Sequence, residues 1–350
     1  MDDINIGNFK IGKNLEPLIV AEMSGNHNQS LEKALSIIDS AADAGAHAIK
    51  LQTYTADTLT INVNHGEFVI SDPASLWCGK NLYELYQQAH TPWKWHKALF
   101  DRARERGIIC FSTPFDESAV DFLEELDAPA YKIASFENNH FPLLKKVAAT
   151  GKPVIMSTGI TSLSDLSLAV NVLRKNGCKD LALLKCTSTY PASPENSNVL
   201  TIPHMSELFQ CHVGLSDHTL GIGVVIASVA LGARIIEKHF TLNRAEGGVD
   251  SAFSLEPHEF KMLVEESIRA FKGIGTVNYG ILDAEQNSLT FKRSIYIVED
   301  LRVGATLTEE NIRIIRPGLG MSPQYYETIL GKKINKDVTK GTALTFDLIG

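Results

Sequence analysis

The sequence predicts an α/β protein whose larger domain is a TIM (β/α)8 barrel. Eight short apolar runs recur between residues 18 and 240, and amphipathic helical patterns separate most of them. Eight βα units within roughly 250 residues are the number and span of such a barrel. A doubly wound open sheet is the alternative, but no G-x-G-x-x-G segment follows the first run. The predicted strands are residues 18–23, 48–53, 108–114, 130–135, 153–159, 181–188, 213–218 and 234–240.

Helical periodicity occurs between these strands and after the last of them. The segment that joins the second and third strands, residues 53–93, is too long for an ordinary barrel loop. It contains Trp77, Tyr83 and Tyr86, which favour an ordered substrate-side lid over a disordered segment. The predicted helices are residues 31–44, 93–106, 118–126, 141–150, 163–176, 221–231 and 256–272.

A second, smaller domain is predicted at the C-terminal end, with a boundary between residues 284 and 285. Residues 273–287 contain few apolar side chains and are the predicted linker. Residues 300–312 and 337–349 match at Asp, Gly, Leu, Thr and Ile in the same places, which indicates an internal repeat of short strands and turns. Chance similarity between two common turn sequences is the alternative.

Composition limits the classes of function. The chain has 350 residues, 44% of them apolar and 21% charged, which is ordinary for a soluble globular protein. The net charge of −8 argues against binding to nucleic acid or to an anionic membrane. The N-terminus lacks the features of a signal peptide, and the five cysteines show no CxxC spacing. We therefore expect a cytoplasmic protein without a disulfide framework.

Most of the predicted strands end in polar side chains. In a TIM barrel these ends meet at one face, where such proteins carry their active sites. One polar strand end would be uninformative, whereas eight predict a polar mouth. The residues concerned are Glu22, Gln52, Thr113, Ser135, Ser157, Ser188, His218 and His239.

The last two strands suggest a metal site. Side chains alternate along a strand, so Ser216 shares a face with His218, and Glu237 shares one with His239. If these strands are parallel neighbours, two imidazoles and a carboxylate converge, an arrangement that suits a divalent metal with open positions for water or substrate. The alternative is that each histidine caps its strand by hydrogen bonding.

Three lysines, Lys50, Lys132 and Lys185, fall inside otherwise apolar strands. A lysine there is costly to desolvate unless it meets an anion, although a lysine can also extend outward between helices. With the serines at the strand ends, these residues suit a phosphate or carboxylate. We therefore predict an enzyme that acts on a small anion, in which a metal polarises a carbonyl and Glu22 moves a proton or orients a water.

The ordered motifs of the chain closely resemble those of the sialic acid synthase family. The resemblance continues through residues 293–320, which are similar to that family's antifreeze-like (SAF, β-clip type) domain. It covers nearly the whole chain. The barrel motifs are AEMSGNHN (21–28), GAHAIKLQTY (45–54), CFSTPFD (110–116), YKIASFE (131–137), STG (157–159), KCTSTYP (185–191), GLSDHTLG (214–221) and EKHFTL (237–242).

Two departures bear on the product. N-acetylneuraminate synthases carry Pro-Asp-His where this chain has Val249, Asp250 and Ser251, and an Asn where it has Ser188. Both disfavour N-acetylneuraminate. Residues 76–96 and 249–255 resemble another branch of the family.

The resemblance implies condensation of phosphoenolpyruvate with an acetamido sugar, assisted by Mn²⁺, Mg²⁺ or Co²⁺ on His218 and His239. It also implies a domain-swapped homodimer, in which Arg316 reaches the sugar of the partner subunit's site. Phosphoenolpyruvate would meet Lys50, Thr113, Lys132, Ser135, Ser157 and Ser216, and the sugar would meet Gln52, Tyr190 and Asp250. Ser188 takes the place of the family's phosphoenolpyruvate-contacting Asn.

Two other functions fit the same residues less well. A metal-dependent aldolase or lyase would need the same Lewis acid but would release no phosphate. A non-catalytic sugar-binding protein is suggested by the antifreeze-like segment, but it would have no use for Glu22, Lys132 and a metal at one mouth.

Overall fold

The computed structural model describes residues 1–73 and 75–350. The chain forms two compact units, Met1–Gly275 and Thr276–Gly350. The boundary predicted after residue 284 lies within the second of these units and stays a prediction.

The first unit is a closed barrel of eight parallel strands, in which each strand pairs with the next and the last pairs with the first. This confirms the predicted TIM barrel and excludes the open sheet. Every predicted strand is present, with ends that differ by only a few residues. In chain order the strands of this unit are the hairpin β1 (Ile4–Ile6) and β2 (Phe9–Ile11), then β3 (Leu18–Glu22), β4 (Ala48–Thr53), β5 (Ile109–Pro114), β6 (Tyr131–Ile133), β7 (Val154–Ser157), β8 (Leu181–Cys186), β9 (His212–Asp217) and β10 (Ile235–His239).

All the predicted helices are present, and further ones appear. Helix α8 was not predicted, because Pro203 and the Ser- and Asn-rich stretch before it obscure its pattern; a proline in the first turn is tolerated. In the described residues no helix is long and apolar enough to cross a bilayer. The α-helices are α1 (Leu31–Asp43), α2 (Ala56–Leu59), α3 (Leu82–Ala89), α4 (Trp93–Glu105), α5 (Glu117–Glu125), α6 (Phe141–Ala149), α7 (Leu163–Lys175), α8 (Thr201–Phe209), α9 (Gly223–Ala230), α10 (Pro257–Ile274) and α11 (Tyr326–Ile329).

Strand alternation divides the apolar side chains of the barrel into two layers. Val20, Phe111 and Leu184 belong to the cluster inside the barrel, and their neighbours Ile19 and Leu183 belong to the layer beneath the helices. The β1–β2 hairpin adds Ile4, Ile6 and Ile11 to the inner cluster. The inward positions continue along the strands to polar residues, which lie at the opposite, carboxyl end of the barrel.

The insertion between β4 and α4 contains α2 and α3. Asn81 caps α3, because its side-chain oxygen accepts hydrogen bonds from the backbone N–H groups of Tyr83 and Glu84. Apolar side chains of this insertion line the cavity described below. The insertion therefore lies where the lid was predicted.

The second unit carries the internal repeat as a structural feature. It contains the two-stranded sheet β11 (Ser294–Ile297) and β12 (Ile312–Ile315). Leu301 and Val338, which occupy the same position in the two copies, donate backbone hydrogen bonds to each other, each at 2.9 Å. A second matching pair runs from the N–H of Gly304 to the carbonyl of Ile334 and from the N–H of Gly341 to the carbonyl of Ile297. The two copies thus pair reciprocally with each other.

Candidate active site

A cavity of about 390 Å³ opens at the carboxyl ends of the barrel strands. Most of the residues predicted for the site line it, including those on the last two strands. The predicted residues that line it are Glu22, Lys50, Gln52, Lys132, Ser135, Ser157, Tyr190, Ser216, His218, His239 and Asp250.

Three predicted site residues are not among those that line the cavity. Thr113 lies at an inward position of β5, opposite Gln52, and is 1% exposed. Ser188 lies two residues after the end of β8, with its Oγ 3.6 Å from the sulfur of Cys186. Arg316 belongs to the second unit, where its side chain is exposed.

Lys185 takes the alternative that the sequence leaves open, a lysine that extends outward from its strand. Strand alternation directs Leu184 and Cys186 inward, so Lys185 faces the other way. Its Nζ donates a hydrogen bond to the carbonyl of Cys186 at 3.0 Å, and the side chain is half-buried outside the cavity. Of the three strand lysines, only Lys185 extends outward; Lys50 and Lys132 line the cavity.

Four buried charged side chains form the floor of the cavity. Lys50 Nζ lies 3.2 Å from Glu22 Oε2 and 3.1 Å from Glu237 Oε1, and Lys132 Nζ lies 3.5 Å from the same oxygen of Glu237. Ser216 donates a hydrogen bond to that oxygen at 2.9 Å. One carboxylate thus meets two ammonium groups and a hydroxyl.

Burial and neighbouring charges have opposite effects on the pKa values of the two carboxyl groups of the floor. Burial disfavours ionisation of Glu237, but Lys132, Lys50 and the Ser216 hydrogen bond lower its pKa to about 2. For Glu22, burial is stronger than the opposing effect of Lys50 and raises its pKa to about 7. The floor therefore holds one fixed carboxylate and one carboxyl group that can exchange a proton near neutral pH.

Buried hydroxyls without partners accompany these charges. Within the described residues, Ser157 Oγ and Thr113 Oγ1 have no hydrogen-bond partner although both side chains are about 1% exposed. Ser135 Oγ accepts a hydrogen bond from the N–H of Gly159 at 3.0 Å, which orients it. Unsatisfied donors beside two lysines are suited to an anion that supplies the missing acceptors.

The imidazole rings of His218 and His239 lie next to each other on the wall of the cavity. The ring centroids of His218 and His239 are 5.3 Å apart, with the planes inclined at 62°. His218 Nδ1 lies 2.9 Å from the carbonyl of Thr187; as the donor of this bond, it leaves Nε2 as an acceptor. Burial lowers the pKa of His239 well below its ordinary value, and its Nδ1 has no hydrogen-bond partner among the described residues.

This pair fits the donor set of a divalent cation, because each ring keeps an imidazole nitrogen that no protein group uses: Nε2 of His218, whose Nδ1 is held by the Thr187 carbonyl, and the buried Nδ1 of His239. In the described part of the chain, no group of three or more His, Cys, Asp or Glu side chains is arranged to hold a metal. Any cation on these two imidazoles would therefore take its remaining ligands from water or substrate. For His218, burial opposes protonation, but contact with the Cys186 thiol raises its pKa.

A hydrogen-bonded chain links the floor to the opposite wall. Gln52 Nε2 donates to Glu22 Oε1 at 3.0 Å and to Ser24 Oγ at 3.2 Å, and Ser24 in turn donates to Asp250 Oδ2. Asp250 Oδ2 lies 3.8 Å from His239 Nδ1. The residues predicted for sugar binding are therefore coupled to Glu22 and to the imidazoles.

Aromatic rings close the other side of the cavity. The ring of Tyr190 lies 4.4 Å from that of His218, 5.2 Å from Phe253 and 6.0 Å from Trp77, measured between centroids. Trp77 Nε1 donates to the carbonyl of Val249 at 3.1 Å, which ties the insertion to the loop after β10.

Sequence reasoning did not assign several residues that line the cavity. Cys186 lies two positions from Ser188, so strand alternation could have identified it. No periodicity marked the others, which follow the ends of strands, in 3₁₀ turns or loops. Burial raises the pKa of Glu137 to about 7, and its Oε2 has no partner in the described residues. The unassigned residues include Ser24, Tyr54, Glu137 and Cys186.

Comparison with known families gives two matches. The model of the NeuB family matches residues 37–279, and that of the SAF domain matches residues 292–349. The first match alone covers more than half of the chain.

Individual relatives extend over nearly the full length. A pseudaminic acid synthase of Campylobacter jejuni is 43% identical over 344 residues, which is 97% of this chain and 98% of that protein. One of Helicobacter pylori is 41% identical over 335 residues, 95% of this chain and 97% of that protein. The crystal structure of an N-acetylneuraminic acid synthetase of Leptospira borgpetersenii in complex with citrate superposes with a TM-score of 0.73 at 35% identity, covering 82% of this chain and 95% of that one.

Proposed function

Because this chain belongs to the NeuB family and ends in a SAF domain, we propose that it is a cytoplasmic pseudaminic acid synthase. It would condense phosphoenolpyruvate with 2,4-diacetamido-2,4,6-trideoxy-L-altrose to give pseudaminic acid and phosphate. The observation that carries the reaction type is the presence of the lysine pair and the imidazole pair in one cavity. The similarity to two pseudaminic acid synthases supports the choice of sugar.

Phosphoenolpyruvate would lie on the charged floor. Lys50 and Lys132 would neutralise its phosphate and carboxylate, and the orphaned hydroxyls would donate the hydrogen bonds that these oxygens accept. The residues proposed to hold it are Lys50, Thr113, Lys132, Ser135, Ser157 and Ser216. Ser188 stays a candidate for contact with phosphoenolpyruvate.

His218 and His239 would hold a divalent cation, Mn²⁺ in the first place and Mg²⁺ or Co²⁺ as alternatives. When bound, such an ion supplies Lewis-acid polarisation of the sugar aldehyde. Asp250, 3.8 Å from His239, and the ring of Tyr190 would hold the sugar beside the imidazoles together with Gln52. The contact of Arg316 with a partner subunit's sugar, in a domain-swapped homodimer, belongs to the same proposal.

The reaction forms one carbon–carbon bond and breaks one carbon–oxygen bond. The methylene carbon of phosphoenolpyruvate attacks the aldehyde carbon, whose oxygen takes up a proton and becomes a hydroxyl. Water adds to the second carbon of phosphoenolpyruvate, which has become electron-deficient. Glu22 would take a proton from that water, since its pKa near 7 allows proton transfer at neutral pH. Collapse of the tetrahedral adduct expels phosphate, so the water oxygen becomes the oxygen of the product.

Phosphate release from phosphoenolpyruvate, assayed against a panel of acetamido sugars with and without Mn²⁺, tests the proposal. We expect release that depends on the diacetamido trideoxy sugar. Faster release with N-acetylmannosamine or with the legionaminate precursor would move the assignment to those products. Carbon–carbon bond formation without phosphate release would support the aldolase or lyase instead.

A further inference from the structure

Ser24 occupies a backbone conformation that a serine rarely adopts. It follows β3 at the start of a short 3₁₀ turn, Ser24–His27, with a φ of +47°. A glycine reaches this left-handed region at little cost, whereas a residue with a Cβ is strained there. The side chain is 2% exposed and lines the cavity. Strain held at a buried position of a binding site points to a role for the side chain itself.

The hydroxyl of Ser24 lies between two residues proposed to bind the sugar. It donates to Asp250 Oδ2 and accepts a hydrogen bond from Gln52 Nε2 at 3.2 Å. The other N–H of that amide is directed at Glu22 Oε1, 3.0 Å away. Both hydrogens of the Gln52 amide are thus used within the protein, and the amide oxygen is the atom left for a ligand.

Ser24 also orients the carboxylate of Asp250. Its Oδ2 accepts the Ser24 hydroxyl, and Oδ1 is the oxygen left to accept a hydrogen bond from a ligand. The backbone of Asp250 is anchored independently, because Ser254 Oγ donates to its carbonyl at 2.7 Å and Asn26 Nδ2 donates to Ser254 at 2.9 Å. Ser24 therefore orients side chains without being needed to hold the loop.

We propose that Ser24 is a positioning residue that fixes the hydrogen-bond polarity of the sugar subsite. Through Ser24, Gln52 and Asp250 each present an acceptor oxygen to the cavity. A subsite with two fixed acceptors selects a ligand that offers donors there, such as the N–H of an acetamido group or a hydroxyl. The inference rests on the proposed function for the identity of the ligand and names how that ligand is recognised.

Two substitutions separate the hydroxyl from the strain. Ser24→Ala removes the hydroxyl and keeps the strain, and Ser24→Gly removes both. In the phosphate-release assay we expect both variants to raise the KM for the sugar about tenfold or more, because a charge-assisted bridge is lost. The KM for phosphoenolpyruvate should stay within about twofold, and Ser24→Gly should melt no lower than Ser24→Ala. Ser36→Ala, at an exposed serine of α1, is the control.

A substrate analogue tests the polarity itself. An acetoxy group in place of either acetamido group removes an N–H donor, and one of the two analogues should react poorly with the wild-type enzyme. The Ser24→Ala variant should discriminate against that analogue less. Equal discrimination by both enzymes, an unchanged sugar KM, or a parallel rise of both KM values with a lower Tm in both variants would overturn the proposal.

Calorimetric titration with the sugar alone distinguishes this inference from the proposed function. Wild-type protein that binds the sugar but releases no phosphate would refute the synthase. Weaker binding by the Ser24→Ala variant would still support the positioning role. Absence of sugar binding by the wild type would overturn both.

Discussion

Lys50 Nζ lies 3.1 Å from Glu237 Oε1, a contact between the second and the last strands of the barrel. The two residues are not on paired strands, so the contact crosses the interior of the barrel. Because Glu237 also contacts Lys132, part of the positive charge of the floor is neutralised within the protein. An incoming anion must therefore share these lysines with Glu237.

Lys132→Met should weaken phosphoenolpyruvate binding. The variant removes one of the two ammonium groups on the floor, and losing a charged hydrogen bond raises KM by roughly ten- to hundredfold. The KM for the sugar should change little. Lys185→Met is the matched control, since Lys185 faces away from the cavity. Equal effects of the two variants on the KM for phosphoenolpyruvate would refute the assignment of the floor.

Glu22→Gln should abolish the fall of kcat/KM at acidic pH. Burial raises the pKa of Glu22 to about 7, and the group accepts a proton only as a carboxylate. In the wild type, kcat/KM should therefore rise with pH below about 7, with a slope of about one, and level off above. The variant should be slower, and its profile should lack this limb. The same limb in both enzymes would assign the titration to another group.

Glu237→Gln should change the acid stability of the protein. The folded-state pKa of Glu237 is about 2, below the ordinary value of 4.5, so its ionisation stabilises the fold above the ordinary value. That stabilisation is lost as pH falls through the window between these values. Thermal unfolding followed from pH 6 to 3 should show a steeper loss for the wild type than for the variant. Parallel curves would contradict the assigned pKa.

His218→Ala should lose its divalent metal. We expect metal content after Mn²⁺ loading to fall below stoichiometry, and phosphate release to fall about a hundredfold or more. His204→Ala, at an exposed position of α8, should retain both. Circular dichroism would verify that the barrel is intact. Full metal content in the His218 variant would count against an imidazole pair as the metal site.

Trp77→Ala should loosen the lid. The indole joins the insertion to Val249 and packs near Tyr190, so its loss should raise the sugar KM about tenfold. Trp77→Phe keeps a ring and removes only the N–H donor, so a smaller effect is expected. An unchanged KM in the alanine variant would show that the insertion does not contribute to sugar binding.

Much of the barrel and of the site could be predicted, because both follow from strand alternation. The inward positions of β9 and β10 carry Ser216, Glu237 and His239 into one cavity, as period-two reasoning requires. The same rule, applied strictly to β8, would have excluded Lys185 and identified Cys186. A lysine within an apolar strand is therefore a candidate for the cavity only if it occupies an inward position, and Lys185 does not.

The loops could not be predicted in the same way, because their geometry depends on contacts far along the chain. Ser24 meets Asp250 across most of the barrel domain, and Trp77 meets Val249 over a similar separation. No local pattern encodes such pairs. The β1–β2 hairpin was missed for a related reason: its strands are three residues each, too short for a clear alternation.

The reciprocal pairing in the second unit has a consequence for its folding. Since Leu301 bonds to Val338 and Gly304 bonds to Ile334, each copy of the repeat supplies the partners that the other lacks. Half of this unit would leave the backbone groups of these bonds without their partners. A deletion that removes either copy should therefore unfold the remainder, so the two copies should melt in one cooperative transition.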